Sequence, residues 1–236
     1  MPRYSHSSLY VFEHCPHYYH RYHVLKDVKD LRKDDSPKRQ FGVELHKALQ
    51  LKMTSGLDHH DQRYHHLVNY WSKKLQKLID KIKSYASNTT VLFEHRLAVN
   101  SQWQSEDFFI ANCHYSGILD MLIITNNIAW IIDFKSGDKR PERSQLDDAA
   151  MLVMLNYRHI KTVKAYYGWI THDSLTPKKG YRHTRDDIKR LVSRVERRIG
   201  HVDRCQRLEQ WVKRPGNLCY QTCPVLDCIH NRKRDL

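Results

Sequence analysis

Apolar positions in this chain follow two rhythms. Between residues 117 and 135 they form near-continuous β-branched runs on either side of Asn126 and Asn127, and elsewhere they recur at three- and four-residue intervals. Asparagine tolerates the positive φ that a two-residue turn requires, so the first pattern predicts a tight β-hairpin. With the turn placed there, Thr125 faces Ile128 and Asp120 faces Asp133, while period two puts Lys135 on the face of both acids. One hairpin face carries Leu122, Ile124, Ala129 and Ile131; the other carries Met121, Ile123, Trp130, Ile132 and Phe134. Strands apolar on both faces are covered on both sides.

The helical rhythm predicts the rest. Residues 4–25 read as a short helix, a break near Pro16 and an aromatic continuation containing Tyr18, Tyr19 and Tyr22. A charged connector spans 26–39, and a helix over 40–53 carries Phe41, Leu45, Ala48, Leu49 and Met53 on one side with His46 at its margin. After a loop at 56–61, Leu67, Trp71, Leu75, Leu78, Ile79 and Ile82 stripe a long helix that Asn88 ends. A strand over 91–99 alternates, with Glu94 and Arg96 opposite Phe93 and Leu97, and residues 108–115 read as another strand. Beyond a polar loop at 138–143 with Pro141, Ser144 caps a helix with Asp147 three residues on, and Gln145 lies in its first turn. A strand covers 163–171, and Thr184 with Asp187 opens a helix striped by Ile188, Leu191, Val192, Val195, Ile199 and Val202. The order α–β–β–β–α–β predicts an α/β (α+β) fold: a mixed central sheet flanked by helices. Its expected divisions are an N-terminal helical segment at 1–40, a core at 41–204 and a Cys-rich metal-binding tail at 205–236, the three forming one unit.

Charge narrows the function classes. Forty Lys and Arg against 26 Asp and Glu leave +14, which favours a polyanionic partner, most often nucleic acid. The lysines of the helix before Asn88 read as a solvated face, whereas Lys189, Arg190, Arg194, Arg197 and Arg198 offer a surface that tracks phosphates. No apolar run approaches a membrane span, and Met-Pro-Arg-Tyr-Ser-His is no signal peptide, so a cytoplasmic, reducing location is expected.

Two carboxylates and an ammonium at the end of a covered sheet are costly unless they bind something. Asp120 and Asp133 are hard oxygen ligands suited to Mg²⁺ or Mn²⁺, and Lys135 suits a water or a phosphate; the plain alternative is a structural Asp–Lys bridge. In a reducing compartment, Cys219, Cys223 and Cys228 within ten residues suggest thiolate ligation of zinc or an iron–sulfur cluster. Cys15, followed like Cys223 by proline, is the candidate fourth ligand, and a zinc site could use His230 instead.

Taken together, Gly42-Val-Glu-Leu-His46, Gly117-Ile-Leu-Asp120, Asp133-Phe134-Lys135 and Gln145, with cysteines at both ends, resemble the PD-(D/E)XK nucleases. The likeness is to the RecB-like branch, with its CRISPR-associated iron–sulfur exonucleases, and spans residues 5–230. It implies a restriction-endonuclease-like fold. It also implies that His46, Asp120, Asp133 and the Phe134 carbonyl bind the catalytic metal, that Lys135 positions and helps deprotonate water, and that Gln145 orients the lysine or substrate; Glu94 is an extra candidate. Cys15, Cys219, Cys223 and Cys228 would hold a 4Fe–4S cluster, with zinc as the alternative. The chain departs from the family where a tyrosine usually follows the glutamine by four residues; Ala149 stands there. The implied activity is DNA exonuclease action on single strands or frayed ends in recombination, repair or phage genome processing, with structure-specific endonuclease action or non-catalytic binding as alternatives. DNA is the implied partner, beside a homo-oligomer or a repair protein. Tyr18, Tyr19 and Tyr22 are candidates for stacking bases, with core packing as their plainer fate.

Overall fold

The computed structural model describes residues 3–28, 37–110, 113–139, 142–221 and 223–231. It divides into two compact units, Pro37–Leu191 in one and Met1–Ser36 with Val192–Leu236 in the other. Part of the expected connector (29–36) and of the polar loop (140–141, with Pro141) lies outside the described residues.

The unit Pro37–Leu191 is built on a six-stranded sheet, β1 (Thr90–Val99), β2 (Ser105–Glu106), β3 (Tyr115–Ile124), β4 (Ile128–Lys135), β5 (Thr162–Trp169) and β6 (Ser174–Thr184), in the order β2-β1-β3-β4-β5-β6. Every neighbouring pair is antiparallel except β4 and β5, which the helix α5 (Arg143–Asn156) joins as a parallel crossover. The hairpin has the expected turn: Thr125 N–H donates to the Ile128 carbonyl at 2.9 Å, and the ladder runs from Ile124–Ala129 to Met121–Ile132.

Two helices, α3 (Pro37–Ser55) and α4 (His65–Lys83), cover one sheet face. Leu45, Ala48 and Leu49 of α3 and Trp71, Leu75, Ile79 and Ile82 of α4 enclose Met121, Ile123, Trp130, Ile132 and Phe134 in one buried cluster. This is the hairpin face expected to carry those five residues. Apolar side chains so removed from water contribute roughly 1.5–3 kcal/mol each. On the other face α5 packs so closely that a Cβ on Gly117 would lie 2.9 Å from Leu152 Cδ1, which explains a glycine inside a strand.

Several expectations are corrected. No strand covers residues 108–110 or 113–114; Asp107 Oδ1 accepts the Phe109 N–H at 2.7 Å, a local turn that competes with pairing, and β3 starts at Tyr115. The edge strand β6 was not expected; it carries Pro177 and Gly180, both of which an edge strand tolerates. Ser144 is not the cap of α5: the helix starts at Arg143 after Glu142, and the Ser144 hydroxyl donates to Glu142 Oε1 at 2.7 Å. Asp147 turns instead to Arg143 and His183. The box of Thr184 and Asp187 is present, ahead of α6 (Ile188–Leu208).

In the other unit, α1 (His6–His14) is closed by a Ser5–Ser8 capping box, and α2 (Pro16–Tyr19) begins at the expected proline. Tyr18 and Tyr19 are 1 % and 2 % exposed, so both are core residues and cannot stack bases. The unit also holds α6 from Val192 onward and α7 (Asn217–Gln221). No helix among the described residues is long and apolar enough to cross a membrane.

Candidate active site

The site begins with an irregular rung. In β1 and β3, Phe93 pairs with Met121 and His95 with Leu119, which leaves Glu94 opposite Asp120 and outside the ladder. Glu94 has φ +47°, a left-handed conformation that is strained for a side chain of this kind. The alternation changes face there. Phe93 and Met121 pack on the α3–α4 side, whereas His95 reaches Tyr157 at the end of α5, Tyr115 donates to Asp148 of α5, and Gly117 abuts Leu152. Arg96 is therefore on the same side as Phe93, contrary to the expected strict alternation. With Glu94, Asp120, Val43, His46 and Lys47 it lines a cavity of ≈ 480 Å³.

Helix α3 brings His46 to this rung. A Cβ on Gly42 would lie 2.5 Å from Ser136 Oγ, so glycine lets α3 settle against the end of β4. His46 then stands edge-on to Phe134, ring centroids 6.1 Å apart, with Nδ1 3.7 Å from Asp120 Oδ2. Burial, and then the nearby Lys135 ammonium, push its pKa down to about 4, against a hydrogen bond to the Phe134 backbone. At neutral pH the ring is uncharged, the form that ligates metals.

Asp120 Oδ2 accepts the Phe134 N–H at 2.7 Å. Burial, then the charge of Asp133, holds its carboxyl well above the usual range, opposed by that hydrogen bond. Asp133 carries the site to the α5 side. Its Oδ2 is 2.7 Å from Lys135 Nζ, and its Oδ1 accepts from Gln145 Nε2 at 2.8 Å. Lys135 also donates to Gln145 Oε1 at 3.1 Å, so one amide spans acid and amine. Sequence reasoning missed Tyr167. It lies beside Asp133 in the parallel register, its ring centroid is 5.6 Å from Lys135 Nζ, and its hydroxyl donates to the Glu142 carbonyl, which fixes the start of α5. Only the β4–β5 register places it there, and no local pattern encodes that register.

The structure thus brings His46, Asp120, Phe134, Asp133, Lys135, Gln145 and Glu94 to one end of the sheet. The donors suit a hard divalent cation: carboxylate oxygens, a carbonyl and a neutral imidazole. As they stand, no three His, Cys, Asp or Glu side chains among the described residues are gathered into a set that could hold a metal ion. Asp120 is turned to the Phe134 N–H and Asp133 to Lys135 and Gln145.

Cys15, Cys219, Cys223 and Cys228 are all buried in the other unit and form no disulfide. Burial pushes the Cys223 thiol up to about 11, the charges of Cys219, Cys15 and Cys228 add to this, and a hydrogen bond from the Val225 backbone opposes it. The four sulfurs are therefore electrostatic neighbours. Asn231 holds the tail loop by donating to the Cys223 and Val225 carbonyls at 3.1 and 2.8 Å. His230 is half-buried in the same turn.

A family model described as the PD-(D/E)XK nuclease superfamily matches residues 3–228. The chain belongs to that superfamily. PD-(D/E)XK nucleases are hydrolases of phosphodiester bonds, and the mixed sheet with flanking helices agrees with their fold. Two solved structures are similar to this PD-(D/E)XK chain. One is SSO0001, at 13 % identity and TM-score 0.47; the other is a candidate exonuclease from Eubacterium rectale, at 9 % identity and TM-score 0.48. Each alignment covers 98 % of this chain and 88 % of the other. A search of the curated proteins found no match.

Proposed function

We propose that this protein is a divalent-metal-dependent DNA exonuclease acting on single-stranded or frayed ends. The observation that carries the reading is the convergence of His46, Asp120, Asp133 and Lys135 at the irregular end of one sheet. His46, Asp120, Asp133 and the Phe134 carbonyl would hold Mg²⁺ or Mn²⁺, which supplies Lewis-acid activation of water and neutralises charge at the leaving oxygen. The side chains do the rest. Asp133 and Gln145 hold the Lys135 ammonium, and the Tyr167 ring flanks it. So held, the amine orients the attacking water and faces the charge that builds on the phosphate. Backbone phosphates are bound by basic side chains without reading sequence.

We further propose that Cys15, Cys219, Cys223 and Cys228 hold a 4Fe–4S cluster that ties the N-terminal segment to the tail. The support is burial of four thiols whose charges bear on one another, an arrangement that disfavours thiolates unless a cation is present. Recombination, repair or phage genome processing would be the setting, in the cytoplasm.

The test uses end-labelled linear DNA and covalently closed circles, with Mg²⁺, Mn²⁺ or a chelator. Metal-dependent loss of linear DNA alone is expected. Cutting of circles would make the enzyme an endonuclease, and no hydrolysis under any condition would leave only a binding protein.

A further inference from the structure

The face change at Glu94 has a second effect. It turns Arg96 into the cavity that holds Asp120, His46 and Glu94. Its guanidinium carbon lies 5.8 Å from the Phe108 ring centroid and 5.3 Å from that of Phe109. The two rings meet edge to face, with centroids 5.4 Å apart. Phe109 is 75 % exposed, among the highest values for a large apolar residue among the described residues, and Ile118, paired with Arg96 across the ladder, is 50 % exposed. The exposure is built in. Asp107 Oδ1 fixes the Phe109 N–H at 2.7 Å, and the Asp107 N–H is fixed by Glu106 Oε1 at 3.0 Å.

We propose that Arg96, Phe108 and Phe109 form a stacking subsite for an unpaired base of the DNA strand entering the site, an inference that rests on the nuclease reading above. Three features select this ligand over a protein surface. The platform joins a flat apolar ring to a guanidinium, the pair that receives a nucleobase and its phosphate together. Its guanidinium, Arg96, also lines the cavity of the metal-ligand candidates, so a strand held by Arg96 has Asp120 in the same cavity. The chain carries +14, complementary to a polyanion. Every base has a π-face, so such a platform is indifferent to sequence, but a base stacked inside a duplex cannot use it. The subsite therefore selects single strands and frayed ends. It replaces the buried Tyr18 and Tyr19 as the aromatic contact.

The experiment measures binding of a fluorescent oligothymidylate and a blunt hairpin duplex by anisotropy, in chelator so that nothing is cleaved. Phe109→Ala and Arg96→Ala are expected to weaken single-strand binding by on the order of tenfold and duplex binding by less than about twofold. Phe109→Tyr should retain single-strand binding and Phe109→Leu should not, because stacking needs the ring. The high exposure of Phe109 makes unfolding an implausible source of the loss, and a melting curve of each variant checks that. Equal weakening on both DNAs, unchanged binding in Phe109→Ala, or no single-strand binding by the wild type would overturn the subsite. So would conversion of a dimer to a monomer by Phe109→Ala with DNA binding intact, which would make the patch an interface between copies. Hydrolysis by the wild type is scored separately. Selective loss of binding with no hydrolysis in Mg²⁺ or Mn²⁺ would leave the subsite standing and remove the nuclease reading.

Discussion

Asp120 accepts the Phe134 backbone N–H at 2.7 Å, at the point where β3 and β4 stop pairing. Hydrogen-bonded pairs alternate along an antiparallel ladder, so after Ile123–Trp130 and Met121–Ile132 the next would be Leu119–Phe134. The carboxylate takes that donor instead. It satisfies an amide that would otherwise be orphaned and holds an acid in the gap between two strands.

That position costs stability while the acid is charged. Burial and Asp133 both disfavour the carboxylate, and Asn keeps an acceptor for Phe134 without the charge. Asp120→Asn should therefore melt at or above the wild-type temperature without metal, by up to about 4 °C for each kcal/mol relieved in a chain of this size. Hydrolysis should fall below detection. A variant that melts markedly lower would show that the charge itself holds the strands together.

Lys135 and Gln145 should separate by degree. Lys135→Ala removes the amine facing the reacting phosphate and is expected to lower the cleavage rate by roughly 10²–10⁴-fold. Gln145→Ala leaves the Asp133–Lys135 ion pair at 2.7 Å and removes only its brace, so the loss should be smaller, with DNA affinity retained in both. A greater loss in Gln145→Ala than in Lys135→Ala would reverse these roles. Single-turnover rates and anisotropy decide it.

The four-cysteine set predicts a colour. Protein purified without oxygen should be brown and absorb in the visible blue. Cys223→Ser should bleach it and lower the melting temperature, since a bound group stabilises only the folded state. Cys205, half-buried and outside the set, supplies the control: Cys205→Ser should stay brown. Colourless wild-type protein with stoichiometric zinc would replace the cluster by a zinc site.

What the sequence made legible was local. The hairpin turn at Asn126 and Asn127, its two apolar faces, the α4 stripe and the Thr184–Asp187 box depend on neighbours within a few residues, and each stands as expected. What it hid was tertiary. The left-handed φ of Glu94 follows from no composition signal, yet it decides which face Arg96 occupies. The strand β6 was concealed by Pro177 and Gly180, and Tyr167 by a parallel register set through an intervening helix. Tertiary packing likewise sets the bridge by which Gln145 of α5 holds Asp133 and Lys135 beside the cavity that Asp120 and His46 line.

A buried histidine behind the site gives a pH dependence with a definite sign. His183 is fully buried, with Nε2 3.4 Å from Asp147 Oδ1. Burial lowers its pKa below 6.5, and Arg143 and Arg190 act in the same direction against Asp147 and Asp187. Below the ordinary value the unfolded chain binds a proton that the folded chain still excludes, so stability is full above about pH 6.5 and is lost as pH falls beneath it. One such group contributes at most about 1.4 kcal/mol per pH unit, or roughly 3–6 °C in melting temperature for a chain of this length. His183→Gln removes the proton uptake. Its melting temperature should therefore fall less steeply than that of the wild type between pH 7 and pH 5, whatever its offset at neutral pH. Parallel curves would show that His183 is protonated in the folded state and held by Asp147 as an ion pair.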